Sequence, residues 1–157
     1  MNCGVATAAV SAIFALVVWG AAVPRTVAAA LGDDVTTTIA TDRARFRSAL
    51  RVQHGQRYDT HVLAAPTGTV VREYASPAGR VFAVAWQGRW PPDLRQLLGR
   101  YFDRFRARAA AGQRGRGPIV VDEPDLVVIS SGHPRAFRGR AYLRSLVPVD
   151  VDLAAIR

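Results

Sequence analysis

At 157 residues with a formal net charge of +9, the chain has room for one domain of ordinary size and no second independent core. A hydrophobic fraction of 50% excludes an intrinsically disordered chain, and a lone cysteine, Cys3, excludes an internal disulfide framework and a paired-CxxC zinc site. All 21 basic residues are Arg and none is Lys, an inventory that GC-rich coding explains without selection for guanidinium chemistry.

Val5 to Val23 contains no charged residue. It is followed by the helix breaker Pro24, then Arg25, then Ala28-Ala29-Ala30 ahead of Leu31-Gly32-Asp33. An apolar stretch, a break and small residues at alternate positions are the layout of a cleaved secretory signal peptide over residues 1–30. The run is also just long enough to be an uncleaved membrane anchor, but it is rich in Ala and Gly and has no basic cluster at either end. Cys3 precedes the apolar run, so it is not a lipoprotein cysteine. The expected location is the periplasm or cell envelope, with inner-membrane anchoring by residues 5–23 as the alternative.

Residues 31–57 are expected as a leader. Val35 to Ile39 reads as an edge strand or unstructured stretch, and Thr41-Asp42 as the N-cap of a short helix from Arg43 to Gln53 stopped by Gly55. Residues 58–157 are expected as a single α+β domain. Tyr58–Ala64, Thr69–Ala75 and Val81–Gln87 are β-rich runs separated by Pro/Gly turns, the pattern of an antiparallel meander. In the third run Phe82, Val84 and Trp86 alternate with Val81, Ala83 and Ala85, so both faces are apolar and the strand is predicted to be central.

Pro91-Pro92-Asp93 then opens the strongest element. Leu94, Leu97, Leu98, Tyr101, Phe102, Phe105 and Ala109 recur at helical spacing over an arc of roughly 140°. This predicts one long amphipathic helix packed across the sheet, with Gly99 on its outer face. After an Arg/Gly loop at 112–118, strands are predicted at Ile119–Val121, Leu126–Ser130 and Ala136–Leu143. Turns fall at Asp122–Asp125 and Ser131–Pro134, and a last helical turn at Asp152–Ile156.

No GxSxG, HExxH, P-loop or GxGxxG motif occurs, and no cofactor or metal site is expected. The weak catalytic candidates are His133, Ser131 two residues before it, and Asp125 in the preceding turn. Together they would supply a nucleophile, base and acid; the bland alternative is turn chemistry. His54 and His61 read as solvated. From Arg89 to Arg116 there are eight Arg against Asp93 and Asp103. Arg95, Arg100, Arg104, Arg106, Arg114 and Arg116 are therefore weak anion-binding candidates, against the default of a solvated basic face. The interleaved aromatics point to the core, where they cannot stack on bases, which argues against nucleic acid. Anionic envelope lipid or polysaccharide is the partner class that an exported basic surface would meet.

The residues Gly68-Thr69-Val70-Val71-Arg72-Glu73-Tyr74, Ser76-Pro77-Ala78-Gly79, Val81-Phe82-Ala83-Val84-Ala85-Trp86 and Pro92-Asp93-Leu94 form one block. With Pro124-Asp125-Leu126-Val127-Val128, Gly132-His133, Arg135-Ala136-Phe137 and Gly139-Arg140-Ala141-Tyr142, they resemble the Gram-negative exported family termed domain of unknown function 2844. The resemblance implies export and a small single domain. It implies no activity, cofactor or catalytic residue. Two readings of function remain: a small envelope binding or accessory module, or an exported hydrolase-like enzyme centred on His133. A deep pocket joining His133, Ser131 and an acid would favour the enzyme; a flat or convex surface there would favour the module.

Overall fold

Apolar residues fall on both parities of the central strands, and the sheet they form is accordingly covered on both faces. The computed structural model describes residues 31–111 and 117–157. Helix α1 (Val35–Phe46) leads into the meander β1 (Ala49–His54), β2 (Asp59–Ala64), β3 (Val70–Ala75) and β4 (Val81–Gly88). Helices α2 (Leu94–Leu98) and α3 (Phe102–Ala111) then cross over to β5 (Ile119–Asp122), β6 (Leu126–His133) and β7 (Ala136–Leu143). All neighbours pair antiparallel in the order β1-β2-β3-β4-β7-β6-β5, so β4 and β7 lie at the centre. The α+β class and the antiparallel sheet match the sequence-based expectation.

The start of the domain differs from that expectation. Val35 to Ile39 is the beginning of α1 and not an edge strand, because Asp34 caps it: the Asp34 carboxylate accepts from Thr36 N at 2.9 Å. Asp42, expected as an N-cap, lies inside the helix and is buried, and residues expected as helix form β1 instead. α1 ends at Arg47, which takes a left-handed conformation with φ 47°. The segment 31–57 is thus part of the fold. Leu31 is fully buried, and backbone bonds Leu31 N to Leu97 O (3.0 Å) and Gly32 N to Val81 O (2.8 Å) tie its start to α2 and β4.

The first core layer lies under the helices. Leu97, Leu98 and Phe105 pack on Leu63, Val71, Val84, Trp86, Val128 and Leu143. The predicted helix is present over residues 94–111, with a 3-10 turn at Gly99–Tyr101 between α2 and α3, where Gly99 takes φ 50°, which glycine tolerates best. Phe82 does not share the face of Val84 and Trp86. Tyr74 pairs with Ala83 and Ala75 with Val81, so Phe82 is the extra residue of a β-bulge and turns to the opposite face.

That opposite face carries the second core layer. Tyr74, Phe82, Ala83, Ala85, Val127 and Tyr142 are covered by the C-terminal segment, from which Ile156 is fully buried. The Tyr74 hydroxyl pins that segment, donating to Arg157 O and accepting from Arg157 N, both at 3.2 Å. The segment contains a 3-10 turn at Leu153–Ala155, close to the predicted last turn. It covers only the end of the sheet that holds the tyrosines. The other end of this face stays open, and the candidate site lies there.

Candidate functional site

Strand alternation decides which side chains reach the open face. Register places Arg51, Val62, Arg72, Ala85, Arg140 and Ile129 in one row across β1, β2, β3, β4, β7 and β6. Arginine therefore recurs on every second strand, with a small or aliphatic residue between. A neighbouring row runs Val70, Gln87, Arg138, Ser131 across β3, β4, β7 and β6. Between these rows and the C-terminal segment is a cavity of about 460 Å³, lined by Arg72, Gln87, Ser131, Arg138, Arg140 and Arg157 among others.

The face continues on both sides of that cavity. A hollow of about 650 Å³ runs on past Ser131 and Arg138 to His133, Arg135 and Arg89. Another of about 450 Å³ links Arg72 to Arg51 and Gln53. Among the described residues, no Asp or Glu side chain lines any of the three. Arg140 is held by carbonyls of the C-terminal segment, its Nη1 donating to Leu153 O at 2.9 Å and Ile156 O at 3.4 Å. Carbonyls orient a guanidinium without neutralising it. Arg72 Nη1 is buried and has no hydrogen-bond partner among the described residues.

The arginines singled out from sequence lie elsewhere. Arg95 sits over the Phe102 ring at 4.5 Å and Arg100 over Tyr101 at 5.1 Å. Arg104 pairs with Glu123 at 3.2 Å and Arg106 with Asp103 at 3.3 Å. These groups are occupied with their own helix and its neighbours. Arg114 and Arg116 lie outside the described residues, as do residues 1–30, expected from sequence as a signal peptide. Among the described residues no helix is long and apolar enough to cross a membrane.

Ser131 and His133 both fall on the open face, because β6 runs on to His133 in place of the predicted turn. Asp125 is not brought to them. It precedes the opposite end of β6, a separation of roughly 25 Å at the rise of an extended strand. There its carboxylate accepts from Ser145 N at 2.8 Å, and hydrogen bonding by the Ser145 hydroxyl, then by that N–H, holds its pKa below the usual range.

A second polar cluster lies on the helix side. Asp42 of α1, Glu73 of β3 and Gln96 of α2 are all buried, and Gln96 Nε2 donates to Asp42 Oδ1. Among the described residues, neither Asp42 Oδ2 nor either oxygen of Glu73 has a donor. The two carboxyl groups are within hydrogen-bonding reach of each other, so one shared proton would pair Asp42 Oδ2 with one of the two Glu73 oxygens. Burial, and then the neighbouring Asp42, push the Glu73 carboxyl well above its ordinary range, and burial raises Asp42 as well. His61, expected to be solvated, is buried opposite Glu73 in the register, and burial lowers its pKa. This cluster is sealed under α1 and α2, which makes it a structural element more than a ligand site.

A family model described as a protein of unknown function, DUF2844, matches residues 27–156. The chain belongs to that family. No curated protein and no solved structure matches it. Membership in DUF2844 brings no site residues, so the arginine face rests on its own geometry. Sequence reasoning misses it because charge counted along the chain does not see strand pairing. The six arginines Arg51, Arg72, Arg89, Arg135, Arg138 and Arg140 are scattered in sequence and gather only through the sheet. Their signal is present in the alternation: in β3 and β7, Arg72, Arg138 and Arg140 share one parity, while Val71, Ala141 and Leu143 share the other. Glu73 is legible in the same way, as a lone acid at an inward position.

Proposed function

We propose that this DUF2844 protein is an exported envelope module that binds a multiply anionic ligand on its open sheet face. One observation carries the reading: arginines of β1, β3, β7 and the turns flanking the sheet converge on connected cavities that no acidic side chain among the described residues lines. Guanidinium groups offer forked donors matched to carboxylate and phosphate, and Arg72 brings a buried nitrogen with no partner of its own among the described residues. Export is supported by the apolar run 5–23 and the Ala28-Ala29-Ala30 site. The rival hydrolase reading keeps Ser131 and His133 on the face, but among the described residues no Asp or Glu lines the hollow beside them.

The test compares two variants matched in charge. One carries Arg51→Ser, Arg72→Ser and Arg138→Ser; the other carries Arg95→Ser, Arg100→Ser and Arg106→Ser. Binding to inorganic polyphosphate is measured by calorimetry across a salt series. Wild type and the helix variant should bind alike, while the sheet variant should bind weakly and with a shallower salt dependence. Equal loss in both would mean that net charge alone drives the attraction, and the proposal would fall.

A further inference from the structure

The open face has a periodicity as well as a charge. Arg51, Arg72 and Arg140 occupy one cross-strand row at every second strand, so their backbone positions repeat every two strand spacings, ~10 Å. From the first to the third is four spacings, ~19 Å. Between them stand Val62 and Ala85, and beyond Arg140 stands Ile129. Val62 and Ile129 are half-buried and present apolar surface beside the arginines, while Ala85 is fully buried.

A strand spacing is close to the rise of one sugar unit in an extended pyranose chain. In an extended two-fold chain of uronic acids, successive carboxylates point to opposite sides, so one side presents a carboxylate once per disaccharide. That repeat matches the arginine repeat. The apolar C–H face of the ring between Arg51 and Arg72 would meet Val62, whereas Ala85 is fully buried and offers no contact. Gln87, Arg138 and Ser131 in the neighbouring row offer donors and acceptors to ring hydroxyls.

Other polyanions fit less well. A sheet twists by roughly 20° per strand, so over four spacings the row fans through ~80°, which a flexible polymer can follow and a flat bilayer cannot. The C-terminal segment also walls one side of the cavity, with Ile156 and Arg157 in its lining. Single-stranded nucleic acid is usually held by exposed aromatic platforms. Of the aromatics on this side of the sheet, Tyr74, Phe82 and Tyr142 are buried in the second core layer, and the half-buried Tyr58 packs edge-on against Tyr74 and Phe82.

We infer that the ligand is a linear acidic polysaccharide lying across the strands, with one carboxylate per disaccharide seated on Arg51, Arg72 and Arg140 in turn. This rests on the open face being the anion site, and the experiment separates the two claims. Oligogalacturonates from monomer to octamer are titrated against the full protein by calorimetry. Anionic phosphatidylglycerol vesicles and a single-stranded oligonucleotide of similar charge serve as comparison probes.

Affinity should rise with length until the oligomer spans the row, at about five to six sugars for ~19 Å, and then level off. Arg72→Ser, at the middle of the row, should weaken the hexamer roughly ten-fold and leave the dimer within about two-fold. Arg51→Ser, on the exposed edge strand, gives the same readout without touching a half-buried side chain. Affinity that follows total charge with no length step would overturn the polysaccharide inference while leaving the anion face standing. So would tighter binding to the vesicles or the oligonucleotide that still depends on Arg72. No dependence on Arg51 or Arg72 with any probe would overturn both claims.

Discussion

Replacing Glu73 by glutamine should change how stability responds to pH. Glu73 is 0% exposed and lies within hydrogen-bonding reach of Asp42, and burial raises its pKa in the folded state well above the ordinary value. A raised folded pKa means that stability is fully present below the unfolded value of ~4.3 and is lost as pH climbs through the folded one. Across that window the native protein keeps one proton that the unfolded chain has released. Stability should then fall by about 1.4 kcal/mol per pH unit. In a domain of this size that is roughly 5 °C in Tm per unit. The side-chain amide of the Glu73→Gln variant would donate to Asp42 Oδ2 and remove the Glu73 part of that slope, leaving the part that belongs to Asp42, whose pKa burial also raises. Thermal melts of wild type and Glu73→Gln from pH 5 to 8 read the difference directly. His61, whose lowered pKa acts in the opposite direction as pH falls, is common to both proteins and largely cancels. The variant should gain on wild type steadily as pH rises. Parallel curves would refute a shared proton at this site.

Gly139 faces Trp86 across the β4–β7 pair, and a Cβ there would lie 2.3 Å from the indole Cζ2 and 2.6 Å from the carbonyl oxygen of Ile129. Gly139→Ala should therefore cost about 1–3 kcal/mol in denaturant unfolding, while Gly117→Ala, with nothing within 4 Å among the described residues, should be close to neutral. Leu98→Ala beneath the helices and Phe82→Ala beneath the C-terminal segment should each cost about 2–5 kcal/mol; a neutral Phe82→Ala would show that the second layer is not packed core. Protein recovered from a periplasmic fraction should begin at Ala30 or Leu31 by N-terminal sequencing, and a full-length product retained in the inner membrane would instead identify residues 5–23 as an anchor.

The strands from Asp59 to Gly88 are legible in the sequence because turn residues such as Pro66 and Gly79 punctuate them and both parities are apolar. α1 is not. Its Thr-rich start carries poor helix propensity and its inward positions are Thr38 and Asp42, so no apolar stripe announces it; capping by Asp34 and packing on the sheet decide the matter. The bulge that turns Phe82 over leaves no mark on a strict alternation. The arginine face is hidden for a different reason. Arg51 and Arg140 are far apart in sequence, and only the order β1-β2-β3-β4-β7 brings them into one row. By contrast, the eight arginines from Arg89 to Arg116 stand out in sequence, and in the fold Arg95, Arg100, Arg104 and Arg106 are engaged with rings and acids.

The most direct measurement is a backbone amide shift map of the protein during titration with a polyanion at constant ionic strength. Shifts should concentrate at Arg51, Arg72, Gln87, Ser131, Arg138 and Arg140, the residues of the open sheet face. Shifts confined to residues 94–108 on the helices would contradict the assignment of that face as the binding site.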